Sequence, residues 1–218
     1  MKSIIVVGAA LAFTLVLVVA MRELAPAAID LRPLVEAHLA ASGVKHPVTA
    51  VLLNYRGYDT LLEIAVLLIG LLGILAVTRD QADGGPRPGD PVLQMLARIA
   101  APLMIVVAIY LLWAGAFRPG GAFQAGAVLA AAMVLLHLTG LLAGWQQPGV
   151  RLRWGLMAGF LVFLGVAAAL LLAGGLLTYP PNHAGTLILL IESSLTFSLG
   201  LILAGSFLFL SRDEGDAP

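Results

Sequence analysis

Cysteine is absent from this chain of 218 residues, and charged side chains make up only 11% of it. Without a thiol the chain cannot form a disulfide, a thiolate metal site or an iron–sulfur ligand set. Redox chemistry in any assembly that contains it would belong to a partner. The formal net charge is +0, which provides no basic surface for nucleic acid. We expect no cofactor, no metal and no nucleic-acid partner.

Apolar sequence fills the chain instead: hydrophobic residues form 61% of it, and the mean hydropathy is +1.02. A soluble domain carries far more charge, because its surface must face water. The lipid bilayer must therefore cover most of this surface. Six apolar runs are each long enough to cross a hydrocarbon core of roughly 30 Å, which takes about 20 helical residues. They lie near 3–21, 59–78, 93–115, 122–143, 155–177 and 186–210.

These runs predict an all-α membrane protein, because a spanning segment must satisfy its backbone hydrogen bonds internally. Strands of a barrel would alternate apolar and polar side chains, and the runs do not. The first run leaves a second interpretation open, a cleaved signal peptide that starts at Lys2. Against it, the apolar stretch from Ile4 to Ala20 exceeds the usual signal core of about 7–15 residues, and no clean Ala-x-Ala site follows.

Glycine, proline and charged residues fill segment 79–91, which predicts a solvated linker. It separates a two-span module, 1–78, from a four-span module, 92–210, and a polar tail follows at 211–218. Lysine and arginine show a small excess on the side that holds the linker and both termini. We therefore expect a multi-pass protein of the cell inner membrane with both termini in the cytoplasm.

Ionisable side chains inside a span cost about 2.5–3.5 kcal/mol on insertion scales, and they usually face protein or water. Three positions qualify: Glu63, His137 and Glu192. Serine and threonine surround Glu192 and could solvate a carboxylate or carry a proton, although such residues also join helices as packing groups. His137 suits proton relay near neutrality, and packing alone explains a single histidine equally well.

Glu63 follows Asp59 by four residues, which places both on one face of a helix that starts near Asp59. Arg56 precedes Asp59 by three residues and could pair with either acid. We interpret Asp59 as a helix cap and Arg56 as an interfacial anchor. A second acid deeper in the membrane indicates a buried functional role for Glu63. Gly70 and Gly73 continue the same side and would admit a close neighbouring helix.

No motif of a membrane enzyme accompanies these acids. The sequence contains no Gly-x-Ser-x-Gly elbow, no phosphate loop and no pair of intramembrane aspartates. His46 and His183 fall in loops and receive no role. The sequence therefore predicts a transport-complex component with no active site of its own.

The segment His46–Thr60, HPVTAVLLNYRGYDT, continues through Glu63 and resembles a known module. That module is shared by the C-terminal end of the Mrp antiporter's large MrpA protein and the E subunit of membrane-bound hydrogenases. Asn54 stands where the pattern usually has aspartate. The second half resembles the B subunit of the Mrp antiporter, of the MnhB/MrpB family, and its hydrogenase relative. Three stretches carry that likeness: Ala97–Leu103, Arg118–Gly126 and Leu190–Glu192.

The resemblance implies a subunit of a multisubunit cation/proton antiporter, or of a respiratory complex that uses the same membrane module. Its partners would be antiporter-like or complex I-like membrane subunits. It implies a path for H+ and possibly Na+, to which this chain would contribute Glu63, Glu192, Asp59, Arg56 and His137. It does not imply transport by this chain alone, because the larger subunits of that family carry the lysine and glutamate relays.

Pro119-Gly120-Gly121 predicts a tight turn between antiparallel spans, since glycine adopts positive φ angles and lets backbones approach. Packing explains this turn better than ion binding does. Two alternatives to an ion path stay open. One is a purely structural subunit whose acids only join helices, and the other is a membrane anchor of a redox-driven (hydrogenase-like or complex I-like) or carbon-dioxide-coupled assembly.

The topology prediction can be tested directly because the chain has no cysteine. Single cysteines introduced at Asp83 and at Gly215 should both react with an impermeant thiol reagent from the cytoplasmic side only. Reaction of the two positions from opposite sides would contradict the six-span count. Reaction of both from outside would invert the orientation.

Overall fold

The computed structural model describes residues 2–23, 30–77, 90–142 and 149–210, and the regular structure in these ranges is helical throughout. The linker predicted at 79–91 lies outside the described residues except for Asp90 and Pro91, and the tail at 211–218 lies wholly outside them. The helices are α1 Lys2–Glu23, α2 Arg32–Ser42, α3 Pro47–Ala50, α4 Gly57–Val77, α5 Pro91–Ala114, α6 Ala122–Leu138, α7 Val150–Leu172 and α8 Ala184–Leu210.

Four of the described helices, α4, α5, α7 and α8, are long and apolar enough to cross a membrane. The fold is therefore that of a multi-pass, all-helical membrane protein. α6 is apolar but has 17 residues, which span about 26 Å at 1.5 Å per residue. α1 forms a helix of 22 residues where the first run predicts one, and it belongs to a separate unit, residues 1–34.

Two predicted spans end too late, and glycine accounts for both errors. The span predicted at 122–143 is helical only as far as Leu138, because Gly140 takes a left-handed φ of 72°. The run 155–177 stops at Leu172, ahead of Gly174 with a φ of 122°. Such φ angles cannot continue a right-handed helix.

The segment between the first two spans holds two helices, α2 and α3, that the hydropathy pattern does not predict. α3 continues into one wide π-helical turn at Val51–Tyr55. Two residues of the segment His46–Thr60 fix this region in place. The Asn54 amide donates to the Ser42 carbonyl at 3.0 Å, and the Thr60 hydroxyl donates to the Leu52 carbonyl at 2.6 Å.

α8 is the central helix of the larger unit, residues 35–218: it packs against α4, α6 and α7, while α5 packs chiefly against α6. Small residues allow these contacts. A Cβ on Gly126 of α6 would lie 2.9 Å from Leu199 Cβ, and one on Gly159 of α7 would lie 2.7 Å from Ser198 Cβ. The buried Ser198 hydroxyl also donates to the Leu156 carbonyl. Close packing of this kind replaces the hydrophobic force that is missing between helices in lipid.

We predict that Gly159→Ala destabilises the bundle and that Gly165→Ala, on the same helix, does not. Nothing lies within 4 Å of a Cβ at Gly165, whereas one at Gly159 would also lie 3.0 Å from the Ser194 carbonyl oxygen. Overpacking of this size costs about 1–3 kcal/mol. The melting temperature of the purified chain in detergent should fall for Gly159→Ala alone. Equal melting temperatures would contradict the close α7–α8 contact.

Candidate functional site

The turn between α5 and α6 is so tight that its glycine positions leave no room for a side chain. Gly121 has a φ of 107°, and its N–H donates to the Leu111 carbonyl at 2.9 Å. A Cβ on Gly120 would lie 2.6 Å from the Leu111 carbonyl oxygen, and one on Gly115 would lie 2.6 Å from Gly121 Cα. Pro119, Gly120 and Gly121 thus fold the chain back against the end of α5.

The Glu192 side chain reaches this turn from α8. It is 6% exposed, and the Ala122 N–H at the start of α6 donates to its carboxylate. A Cβ on Gly121 would lie 2.8 Å from Glu192 Oε1, so glycine is what allows the carboxylate to approach. The free N–H groups of a helix N-terminus favour an anion. The turn therefore serves packing and also forms part of the carboxylate's surroundings.

The hydroxyls beside Glu192 do not solvate its carboxylate, which the sequence had offered as one possibility. Ser193, Ser194 and Thr196 each donate to a carbonyl of their own helix, at 2.7–2.8 Å. This is the usual arrangement of serine and threonine within a helix. Ser198 donates across to α7 instead. The polar partner of the carboxylate is the α6 backbone.

A cavity of about 250 Å³ lies beside the Glu192 carboxylate. This volume is far above the roughly 10–15 Å³ that one water molecule needs. None of the described residues that line it is a lysine or an arginine. Its polar lining consists of His46, Thr49, Thr60, Glu63, Gln124 and Glu192. The cavity therefore brings the acid of α4 and the acid of α8 to one space.

Glu63 lines this cavity from α4, and its side chain is exposed in the isolated chain. Glu63 is not buried in the isolated chain, because none of the helices described within residues 35–210 covers that side of α4, and the functional role expected for it stays a prediction. Gly70 and Gly73 lie on the same side, and nothing is within 4 Å of a Cβ at either.

Arg56 and Asp59 form an exposed ion pair, with 2.6 Å between Nη2 and Oδ2. Asp59 lies in the first turn of α4 and uses its carboxylate for Arg56. Neither residue is among those that line the cavity. Arg56 therefore pairs with Asp59 and not with Glu63, and its role as an interfacial anchor stays a prediction.

His137 lies in the last turn of α6, about 22 Å along the helix from Ala122 at 1.5 Å per residue. It is therefore far from the cavity, which borders the first turn of α6. Its Nδ1 is buried and has no hydrogen-bond partner within the described residues. The structure does not bring His137 together with the two acids.

Four further polar residues line the cavity that sequence reasoning did not single out: His46, Thr49, Thr60 and Gln124. The Thr49 hydroxyl donates to the Gly115 carbonyl at 2.7 Å and so joins α3 to the end of α5. All four belong to the segments that carry the family resemblance, and this was the one signal for them in the sequence. Among the described residues, no group of three or more His, Asp or Glu side chains is placed to hold a metal ion.

A known protein family matches the half of the chain that contains α5 to α8. Residues 92–209 match the family described as a domain related to the MnhB subunit of the Na+/H+ antiporter. The chain belongs to this family. Its MnhB-related domain contains Glu192, Gln124 and the glycine turn, whereas His46 and Glu63 precede it.

A curated relative carries the names of two antiporter subunits. It is the probable K+/H+ antiporter A/B subunit of Rhizobium meliloti (strain 1021), which is 30% identical in the aligned region. The alignment covers 51% of this chain and 14% of that protein. The chain thus corresponds to a small part of its curated relative.

Two solved structures share the fold of nearly the whole chain. One is the membrane-bound sulfane sulfur reductase, an archaeal respiratory membrane complex, with a TM-score of 0.72, 21% identity and 97% coverage of both chains. The other is the Mrp complex from Dietzia sp. DQ12-45-1b, with a TM-score of 0.69, 20% identity and coverage of 100% of this chain and 27% of that chain. The shared fold therefore extends beyond the MnhB-related domain.

We predict that Gly121→Ala destabilises the chain and that Gly149→Ala, ahead of α7, does not. Alanine at Gly121 must adopt a φ of 107° and place its Cβ against Glu192 Oε1, whereas a Cβ at Gly149 meets nothing within 4 Å. Backbone strain of this kind costs about 1–3 kcal/mol.

The same measurement of melting temperature in detergent separates the two causes. In a Glu192→Ala background the contact with Oε1 is gone, so Gly121→Ala should cost less there than in the unaltered chain. An equal cost in both backgrounds would show that the turn and the carboxylate are independent.

Proposed function

We propose that this chain is a membrane subunit of a cation/proton antiporter-type complex and that Glu63 and Glu192 line part of its path for H+ or Na+. The observation that carries the proposal is the shared cavity, in which two carboxylates from different helices face one space. The family membership and the curated relative, named as part of an antiporter, support the assignment.

The chemistry of the cavity favours a cation over an anion. Two carboxylates that face one space repel each other when both are ionised, and a proton or a bound cation relieves that repulsion. Carboxylate and hydroxyl oxygens are the ligands that hard cations prefer. Thr49 and Thr60 supply hydroxyl oxygens, although each donates its own hydrogen to a carbonyl.

A neighbouring subunit would cover the Glu63 side of α4. A carboxylate that faced lipid there would be costly, by about 2.5–3.5 kcal/mol near the centre of a bilayer. Val66, Gly70 and Gly73 continue this side at helical spacing, and Val66 is 66% exposed. Small residues at such intervals let a second helix approach closely. The cavity would then lie at the junction of this chain and a larger antiporter-like or complex I-like partner.

The proposed topology has six spans, with α1 and α6 crossing the membrane together with the four long helices. Both termini and the linker at 79–91 would face the cytoplasm, and the membrane would be the cell inner membrane. Residues 1–78 would be the module that resembles the E subunit of membrane-bound hydrogenases, joined to the MnhB-related domain. The chain would act within a complex and carry no active site of its own.

A purely structural role is the second candidate, and one observation favours it. The Glu192 carboxylate binds the first N–H of α6 and so joins α8 to α6, as a helix-joining group would. A glutamine could make the same hydrogen bond, so the two candidates differ in whether the charge is needed.

We expect Glu63→Gln to assemble normally and to lower ion flux by about tenfold or more, because it removes the titratable group and keeps the shape. Glu63→Asp should retain part of the flux. Asp59→Asn is the matched control: this acid lies one turn away on α4, is exposed, and does not line the cavity. Native electrophoresis would report assembly, and H+ or Na+ flux would be measured in the same membranes.

An assembled Glu63→Gln variant with normal flux would falsify the ion-path role and leave the structural role ahead. Loss of flux in Asp59→Asn to the same degree would show that surface charge, and not the cavity, matters.

A further inference from the structure

We propose that His46 is the group through which protons pass between the loop surface and the cavity that holds Glu63 and Glu192. This inference rests on the proposed function of the cavity and adds a third residue to it. His46 is the histidine among the residues that line the cavity. It precedes the MnhB-related domain and comes from a different segment than either acid.

The His46 side chain is not used to start α3. The residue occupies the N-cap position, with φ −98° and ψ 127°, but its side chain makes no capping hydrogen bond. Its backbone carbonyl accepts the Ala50 N–H at 3.0 Å, and Pro47 supplies the first helical position. The side chains that cap a helix start well are those of serine, threonine, aspartate and asparagine. Helix formation therefore gives no reason for an imidazole here, and His46 lines the cavity instead.

His46 lies nearer to the loop surface than the acids do. Glu63 is about 9 Å past the start of α4, and Glu192 is about 12 Å past the start of α8, at 1.5 Å per residue. His46 precedes its helix and is half-buried, and its neighbour Lys45 is exposed. The residue thus borders both the loop surface and the cavity, and it would connect the two once a neighbouring subunit covers Glu63.

The charges around the ring suit a proton relay. Glu63 from α4 and Glu192 from α8 face the same cavity, and the residues that line it from α3, α6 and the glycine turn are neutral. Lys45 directs its ammonium over the Phe117 ring, with Nζ 5.3 Å from the ring centre. A transient imidazolium would face two carboxylates across the cavity.

Imidazole moves a proton without a co-reactant. One ring nitrogen forms a bond to a proton from water on the loop side, and the N–H bond at the other nitrogen breaks toward a carboxylate or a cavity water. The ring is neutral before and after, one proton has crossed, and a flip of the ring returns the starting tautomer. A metal cation cannot follow this route, so His46 would serve H+ alone.

The experiment uses the intact complex in everted membrane vesicles, with a pH-sensitive dye that reports proton movement after Na+ or K+ is added. We expect His46→Gln to assemble and to lower the maximal rate by roughly tenfold or more. The half-saturating concentration of Na+ or K+ should stay the same, and the dependence of the rate on pH between about 5 and 8 should change. Added imidazole should restore part of the rate in His46→Ala.

His183 provides the matched control. It is an exposed histidine just before α8, and it does not line the cavity. His183→Ala should keep the normal rate and pH dependence, and added imidazole should have no effect on it.

Three results would overturn the inference. They are a normal rate with an unchanged pH profile in assembled His46→Gln, a failure of His46→Gln to assemble, and a loss of rate in His46→Ala that imidazole does not restore. Glu63→Gln measured alongside separates the two proposals. If it is inactive while His46→Gln is normal, only the relay fails; if it is normal, the ion path itself fails.

Discussion

The hydrogen bond between the Glu192 carboxylate and the first N–H of α6 is the constraint on which the site depends. To make it, α8 must pass close to the start of α6, which the small residues along both helices allow. The preceding turn must leave room for the carboxylate, which Gly121 does with a φ of 107°. The buried acid thus lies where the turn, the contact of α6 with α8 and one wall of the cavity meet.

The segment His46–Thr60 meets the MnhB-related domain at the same place. Thr49 on α3 donates to the Gly115 carbonyl at the end of α5, and this bond brings the segment against the glycine turn. As a result, Glu63, which precedes the MnhB-related domain, and Glu192, which lies within it, share one space. The MnhB-related domain alone does not contain both acids. This arrangement gives a physical reason for the two segments to occur in one chain, because a covalent link keeps both walls of the cavity together.

Hydropathy predicts α4, α5 and α8 within about two residues, since lipid imposes length and composition on a spanning helix. It misses α2 and α3, which are too short to span a membrane and depend on tertiary bonds such as that of Asn54 with Ser42. The two acids are evident in the sequence because charge is rare in a span. Their common cavity cannot be read from the sequence, because helical periodicity shows which residues share a face but not which helix that face contacts. The same gap explains why the sequence predicted neither the exposure of Glu63 in the isolated chain nor the position of His46 at the cavity.

The central position of α8 has a consequence for biosynthesis. α8 follows α4, α6 and α7 in the chain, yet it is the helix against which all three pack. Until the ribosome has made α8, the faces of α4, α6 and α7 that pack against it must remain uncovered in the lipid. Glu192 arrives only with α8, so the start of α6 lacks its anion during that interval. Membrane quality-control proteases would therefore have their best opportunity before α8 inserts, and a nascent chain truncated ahead of it would be their substrate.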